Sequence, residues 1–290
     1  MKYIYYILII GVTVAAKAAT NPGIVVNEYY SGSTGTIGST AMAGDDYIEF
    51  ALTKNITSAT LAALTFGDTN STTSALSGVF QFDKSTLDSV LSAAGRTSFL
   101  AGTIIVVKGA NNATQELGYS PSATNATNDG AWSIQLVAGQ GAKSDSDFKK
   151  AGDISLSITG DAVWISTDNP PDNTTDTSGF VSGLAHSSGS LGTIGTAIKS
   201  AFGSSHILSS SQPYGSSVAN TGTDSATVLN LVTGGTMATP NGGLNTVWID
   251  GLRVAAFAVP EPGRASLLLI GASLYLIKRH RPHPHTTKIL

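Results

Sequence analysis

Short runs of β-branched and aromatic residues recur along this chain, each closed by Gly, Asn, Asp or Pro, and they leave it few folds to adopt. They include "GIVVNEYYS" at 23–31, "DYIEFALT" at 46–53, "VFQF" at 79–82, "TIIVVKG" at 103–109 and "AWSIQLVA" at 131–138. "TVLNLV" at 227–232 and "NTVWIDGLRVAAFAV" at 245–259 follow, and "ISLSITGDAVWIST" at 154–167 reads as a hairpin. Alternation with a period of two is plain at Ile154, Leu156 and Ile158, and again at Val247 and Ile249. A strand with one apolar face needs a second layer to cover it, so many short strands with turns between them predict a mainly β fold, a β-sandwich. Two stretches have helical spacing instead: Leu87, Val90, Leu91 and Ala94, with Ser85 or Thr86 as cap and Gly95 as stop, and Ile194, Ala197, Ile198 and Ala201 before Gly203. These predict one or two short helices over an open end of the sandwich. Residues 111–130, 167–192 and 203–227 read as loops, and no repeat of fixed period is present.

Composition narrows the class of partner. Only 12% of the residues are charged, whereas Gly contributes 32 and the hydrophobic share is 41%. Ser, Thr, Asn and Gly therefore make most of the polar surface, a pattern suited to exported, turn-rich β proteins, and the apolar content is too high for wholesale disorder. The net charge of −3 hides a segregation. Between residues 19 and 262 stand nine Lys or Arg against all nineteen acids, a balance of −10. A body so acidic repels phosphates, which argues against nucleic acid as a partner. There is no cysteine, so disulfides, thiolate metal sites and cysteine nucleophiles are excluded together.

Both ends of the chain read as addresses. Lys2, the apolar segment from Ile4 to Val14, and Ala16-Lys17-Ala18 follow the order of a secretory signal peptide, 1–18, with cleavage between Ala18 and Ala19. At the other end Pro260 and Pro262 hold the backbone extended around Glu261. Residues 265–277 carry no charge. As a helix this run would reach about 20 Å against a hydrocarbon core of about 30 Å, so it is expected to span a membrane only with Arg264 and Lys278 snorkelling or the bilayer thinned. Lys278, Arg279 and Arg281 would then mark the cytoplasmic side, followed by a short tail, 282–290. That places a body of residues 19–258 outside.

The C-terminal arrangement resembles the PEP-CTERM sorting signal of Gram-negative bacteria. Val259-Pro260-Glu261-Pro262 matches its motif, 265–277 its membrane segment, and Lys278-Arg279-His280-Arg281 its basic stop. The resemblance implies passage to the inner membrane and cleavage near the motif by an exosortase-type transpeptidase, commonly in producers of exopolysaccharide. The further tail "PHPHTTKIL" departs from the family, whose members usually end at the basic cluster. A second resemblance, to the lamin tail domain family, rests on "IVVNEYYSG" followed by "DDYIEFAL", with "GTIIVVKG", "DAVWIST" and "ATPNGGLN" at 238–245 as weaker matches. It implies an immunoglobulin-like sandwich over about residues 24–245, with insertions near 111–130 and 170–225. Asn27, Glu28 and Glu49 are the matched positions, expected as hydrogen-bonding residues of turns or strand edges.

Residues capable of chemistry are sparse. The body has two histidines, His186 and His206, both in Gly/Ser-rich context, and no Gly-x-Ser-x-Gly elbow singles out a serine. Both read as solvated loop histidines. "AGQGAKSD" at 138–145 lacks the order of a phosphate loop. Asp45-Asp46, Asp145 with Asp147, and the set Asp168, Asp172 and Asp176 offer hard oxygen ligands for calcium, although none has the spacing of a twelve-residue calcium loop. His280, His283 and His285 reflect composition rather than a metal site. Tyr29, Tyr30 and Trp132 have the chemistry to stack on sugar rings but are expected in the core. The sequence thus favours an exported, exosortase-sorted envelope or matrix protein without cofactor or catalytic role, structural or adhesive and linked to surface polysaccharide. A secreted, calcium-assisted hydrolase is the alternative.

Overall fold

A computed structural model describes residues 21–32, 36–37, 40–41, 46–69, 76–109, 114–143, 154, 156–157, 160–167, 179–189, 191–213 and 215–258. In chain order the strands are β1 (Ile24–Ser31), β2 (Thr36–Ile37), β3 (Thr40–Ala41), β4 (Tyr47–Leu52), β5 (Thr65–Thr69), β6 (Leu76–Phe82) and β7 (Ile104–Lys108). They continue as β8 (Ser133–Val137), β9 (Ala142–Lys143), β10 (Gly160–Ser166), β11 (Phe180–Ser187), β12 (Ile207–Leu208), β13 (Ser216–Asn220) and β14 (Leu229–Thr233). Helices α1 (Ser58–Ala62), α2 (Lys84–Ala93), α3 (Thr193–Phe202) and α4 (Gly243–Phe257) complete the set with two 3-10 turns.

Two six-stranded sheets, ordered β14-β13-β1-β4-β7-β8 and β12-β11-β10-β5-β6-β9, face one another across an apolar core. Residues of alternate register fill it: Val26, Ile48, Phe50 and Ile105 from the first sheet, and Phe66, Phe80, Val163 and Leu184 from the second. At its centre Phe66 lies 5.2 Å from Phe50, 5.7 Å from Phe80 and 4.7 Å from Phe82 between ring centroids, separations at which aromatic pairs attract beyond their area burial. The mainly β, two-sheet expectation therefore holds, with few helices.

The two helices read from periodicity are present, with one change of cap. Asp83, not Ser85 or Thr86, caps α2, its carboxylate accepting from the Ser85 and Thr86 amides at 2.8 and 3.1 Å. Gly95 at φ 64° ends that helix as expected. Helix α3 ends at Gly203, φ 91°, and covers the outer face of the second sheet, where Ile194 and Ile198 pack with Trp164 and Phe180.

Several expectations fail. The stretch from residue 245 does not form a strand, since 243–257 is α4, whose Asn245, Ile249 and Arg253 are buried at a spacing of four. Among the described residues there are four helices rather than one or two, α1 and α4 being the additions. The supposed loops 167–192 and 203–227 contain β11 and β13. The described residues 154, 156 and 157 are not in a strand, and β10 pairs with β5 and β11. Among the described residues no helix is long and apolar enough to cross a membrane, and 265–277 lies outside them.

Candidate functional site

Strand β1 carries a bulge. Its register against β4 shifts between Val26 and Glu28, so Asn27 and Glu28 both oppose Glu49. The extra residue keeps Val26 and Tyr29 in the core while Asn27 and Glu28 both turn to the opposite face. There they meet the segment before α4. Asn27 Nδ2 donates to Glu49 Oε1 at 2.8 Å, and Glu49 Oε2 accepts from the Ala238 amide at 2.8 Å. Asn245 Nδ2 donates to Asn27 Oδ1 at 2.8 Å, and Asn241 Nδ2 to the Asn27 carbonyl at 2.9 Å. Glu28 accepts from Tyr47 Oη at 2.7 Å and from the Thr236 amide at 3.0 Å. Asn27, Glu28, Glu49 and Asn245 are fully buried. Asn27, Glu28 and Glu49 sit on the two inner strands of the sheet, not at turns or strand edges as the sequence led one to expect, and Asn245 comes from α4.

Burying two carboxylates side by side disfavours ionisation. Burial, and then the charge of Glu28, holds the Glu49 carboxyl well above the usual range; the Asn27 and Ala238 donors and the Arg253 charge only partly oppose this. Burial followed by the Glu28 and Glu49 charges pushes the Tyr47 hydroxyl up as well. Glycine is required at 235: φ is 67°, and a Cβ would lie 2.2 Å from Tyr47 Oη.

A second polar group lies between the sheets at one end of the core. Tyr29 Oη and His186 Nδ1 share a hydrogen bond of 2.7 Å, and Asp161 pairs in register with His186. Asp161 accepts from the Ser157 and Ala162 amides at 2.6 and 2.9 Å. Asp46 accepts from the Gly32 and Leu156 amides, both at 2.6 Å. These carboxylates lace residues 156 and 157 to the body. Burial, then the nearby Asp68 charge, raises the Asp161 carboxyl well above its ordinary range, and burial with the Asp161 charge raises the Tyr29 hydroxyl.

His186 is thus an interior residue of β11, fully buried, and not a solvated loop histidine. His206 is half-buried, with Nδ1 2.9 Å from the Gly183 carbonyl and Nε2 3.2 Å from Thr227 Oγ1, and burial lowers its pKa. Tyr29, Tyr30 and Trp132 are core side chains, 0%, 3% and 0% exposed, so none of their rings is open to a sugar. Among the described residues no group of His, Asp and Glu has the arrangement to hold a metal ion. Asp168, Asp172 and Asp176 lie outside the described residues, as do Asp45, Asp145 and Asp147. So do Ala18 and Ala19 at the expected signal cleavage, Val259, Pro260, Glu261 and Pro262 of the sorting motif, and Lys278, Arg279 and Arg281.

Arg253 is the buried group that sequence reasoning missed, counted there only as a charge. It is 0% exposed on α4. Its Nε donates to the Gly102 carbonyl at 3.0 Å, and its Nη1 to the Ala126 carbonyl at 3.1 Å and Asp129 Oδ1 at 2.6 Å. The guanidinium carbon lies 5.6 Å from the Trp132 ring centroid. Asp250, three residues earlier on α4, lies 3.4 Å from the same Nη1, but the spacing alone does not mark the residue as buried, because the closer partners are two carbonyls and an acid more than a hundred residues away. Comparison with family models, with characterised proteins and with solved structures finds no match to this chain.

Proposed function

We propose that this is an exported protein of the cell envelope or extracellular matrix, sorted by an exosortase-type transpeptidase and structural or adhesive rather than catalytic. Its body is read as an immunoglobulin-like sandwich of the lamin tail type, working alongside surface polysaccharide. The observation that carries the sorting reading is where the compact body stops. That unit closes at Ala256, and the Val-Pro-Glu-Pro motif begins at Val259. A cut at the motif would therefore release the body whole.

Two further features support the rest. The stretches that carry the lamin-tail resemblance, around 27–28, 49 and 238–245, converge in one buried network. The imidazole and carboxylates best suited to acid–base work, His186, Asp161 and Glu49, are closed off from solvent and engaged in holding strands and loops together.

The test is made in the native host with Glu261→Ala, which removes the one acid of the motif and leaves 265–277 intact. The wild type is expected as a shorter species outside the inner membrane, and the variant as a longer one retained in it. Equal size and release of the two would refute the sorting reading.

A further inference from the structure

Helix α4 is built inside out. Its buried side carries Asn245, Ile249 and Arg253, whereas its solvent side carries Leu244, Val247 and Val254, 63%, 71% and 64% exposed, together with exposed Gly251 and Ala255. A helix on a soluble body turns its charged and polar residues outward. Here the one cation of the helix faces in and is pinned to Asp129, while the outer stripe holds no charge. Adjacent to the first turn, the hairpin of β13 and β14 adds Val228, 49% exposed; its Thr221 carbonyl accepts from the Asn245 amide at 3.0 Å.

The chain itself limits what covers this stripe. Seven residues, 258–264, separate the end of α4 from the uncharged run 265–277. Fully extended, seven residues reach about 25 Å. While that run holds the precursor in a bilayer, the end of α4 stays within this distance of the lipid surface.

We propose that the Leu244–Val247–Gly251–Val254 face of α4 lies on the phospholipid surface, seated in the headgroup and upper acyl region, before the sorting signal is cut. This rests on the membrane role assigned above to 265–277. A helix lying in the interface buries such a stripe to a shallow depth. The seat has a consequence for sorting: it keeps the Val259–Pro262 segment at the membrane surface, where a membrane-embedded transpeptidase works. After cleavage the tether is gone and a stripe this small gives weak binding on its own, so the body is released.

The absence of cysteine makes the test direct. Val247→Cys, Val254→Cys and, as a control on the exposed side of α2, Ser92→Cys are made in the full chain. Each is labelled with an environment-sensitive fluorophore and reconstituted into vesicles of phosphatidylethanolamine and phosphatidylglycerol containing a lipid-attached quencher. Labels at 247 and 254 should be blue-shifted and quenched several-fold more than the label at 92. Equal, weak quenching at all three positions in protein that floats with the vesicles overturns the seat and leaves the anchor standing. Concentration-dependent self-quenching at 247 and 254 without lipid quenching overturns it in favour of a second copy on that face. Failure of the unsubstituted chain to float overturns the anchor and the seat together.

Discussion

Glu49 concentrates the electrostatic cost of the β1 bulge. Its carboxyl lies at 0% exposure beside Glu28, receives donors from Asn27 and Ala238, and is held well above the ordinary carboxylate range. Asp161 between the sheets shifts the same way, through burial and Asp68. For a carboxyl whose folded pKa exceeds its unfolded one, the protonated form favours folding. That contribution is complete below about pH 4, the unfolded carboxylate range, and is lost as pH climbs through the raised folded value. Urea midpoints of the body should therefore fall as pH rises above about 5, beyond the ordinary carboxylate values. Glu49→Gln keeps the side chain's shape and an acceptor but has no charge to bury, so the slope should become shallower. A slope identical to the wild type would mean that Glu49 stays ionised throughout. The notable point about this residue is that its type and position could be picked out from "DDYIEFAL", but its burial could not. A Glu at that place in an alternating strand reads as solvent-facing unless one knows that another segment covers the face.

Among the elements, α4 shows most clearly what local sequence conceals. Val247 and Ile249 alternate as in a strand, yet the helix forms because Asn245, Ile249 and Arg253 find partners on a buried side that is mostly polar. Apolar periodicity points to the wrong face here, since the stripe it detects is the exposed one. Strand β11 fails for a different reason. Its outer face must admit α3 closely, and a Cβ at Gly183 would come within 2.9 Å of Ile198 Cγ1. Small residues are therefore needed there, and "SGLAHSS" looks like a loop. Strands β1, β4, β7 and β8 were legible because their buried positions are filled by Val, Ile, Tyr, Phe and Leu. The packing of α4 should depend on Arg253. Arg253→Ala strands the Asp129 carboxylate and the carbonyls of Gly102 and Ala126. Because Asp129 is 30% exposed, water takes over part of its solvation. The cost should be about 2 to 3 kcal/mol, below the full value for breaking a buried pair. Chemical denaturation measures that loss, and limited proteolysis should show new cleavage within 243–257. Unchanged stability would mean that Ile249 and Asn245 suffice to dock the helix.

At the scale of the whole molecule, both expected processing points fall just outside the groups that close the body. Asn21 Oδ1 accepts from the Gly23 and Ile24 amides at 2.7 and 2.9 Å, and its Nδ2 donates to the Val181 carbonyl at 3.2 Å. One side chain thereby starts β1 in the first sheet and ties it to β11 in the second. Cleavage between Ala18 and Ala19 leaves that tie intact, whereas a cut beyond Asn21 removes it. Each hydrogen bond so lost is worth about 1 kcal/mol net. At the far end α4 runs to Phe257, two residues short of the motif. Under the proposed sorting, signal removal and a cut at the motif would therefore make separable demands on the chain, and neither should disturb the core. The exported protein is expected to begin at Ala19 by terminal sequencing, and a recombinant 19–258 fragment should melt in one cooperative transition at the same temperature as the released form. A fragment beginning at Gly23 should melt several degrees lower, about what the loss of three such bonds, ~3 kcal/mol, produces in a domain of this size. If 19–258 fails to fold while longer chains do, residues beyond 258 contribute to the body, and cleavage at the motif cannot be its natural release point.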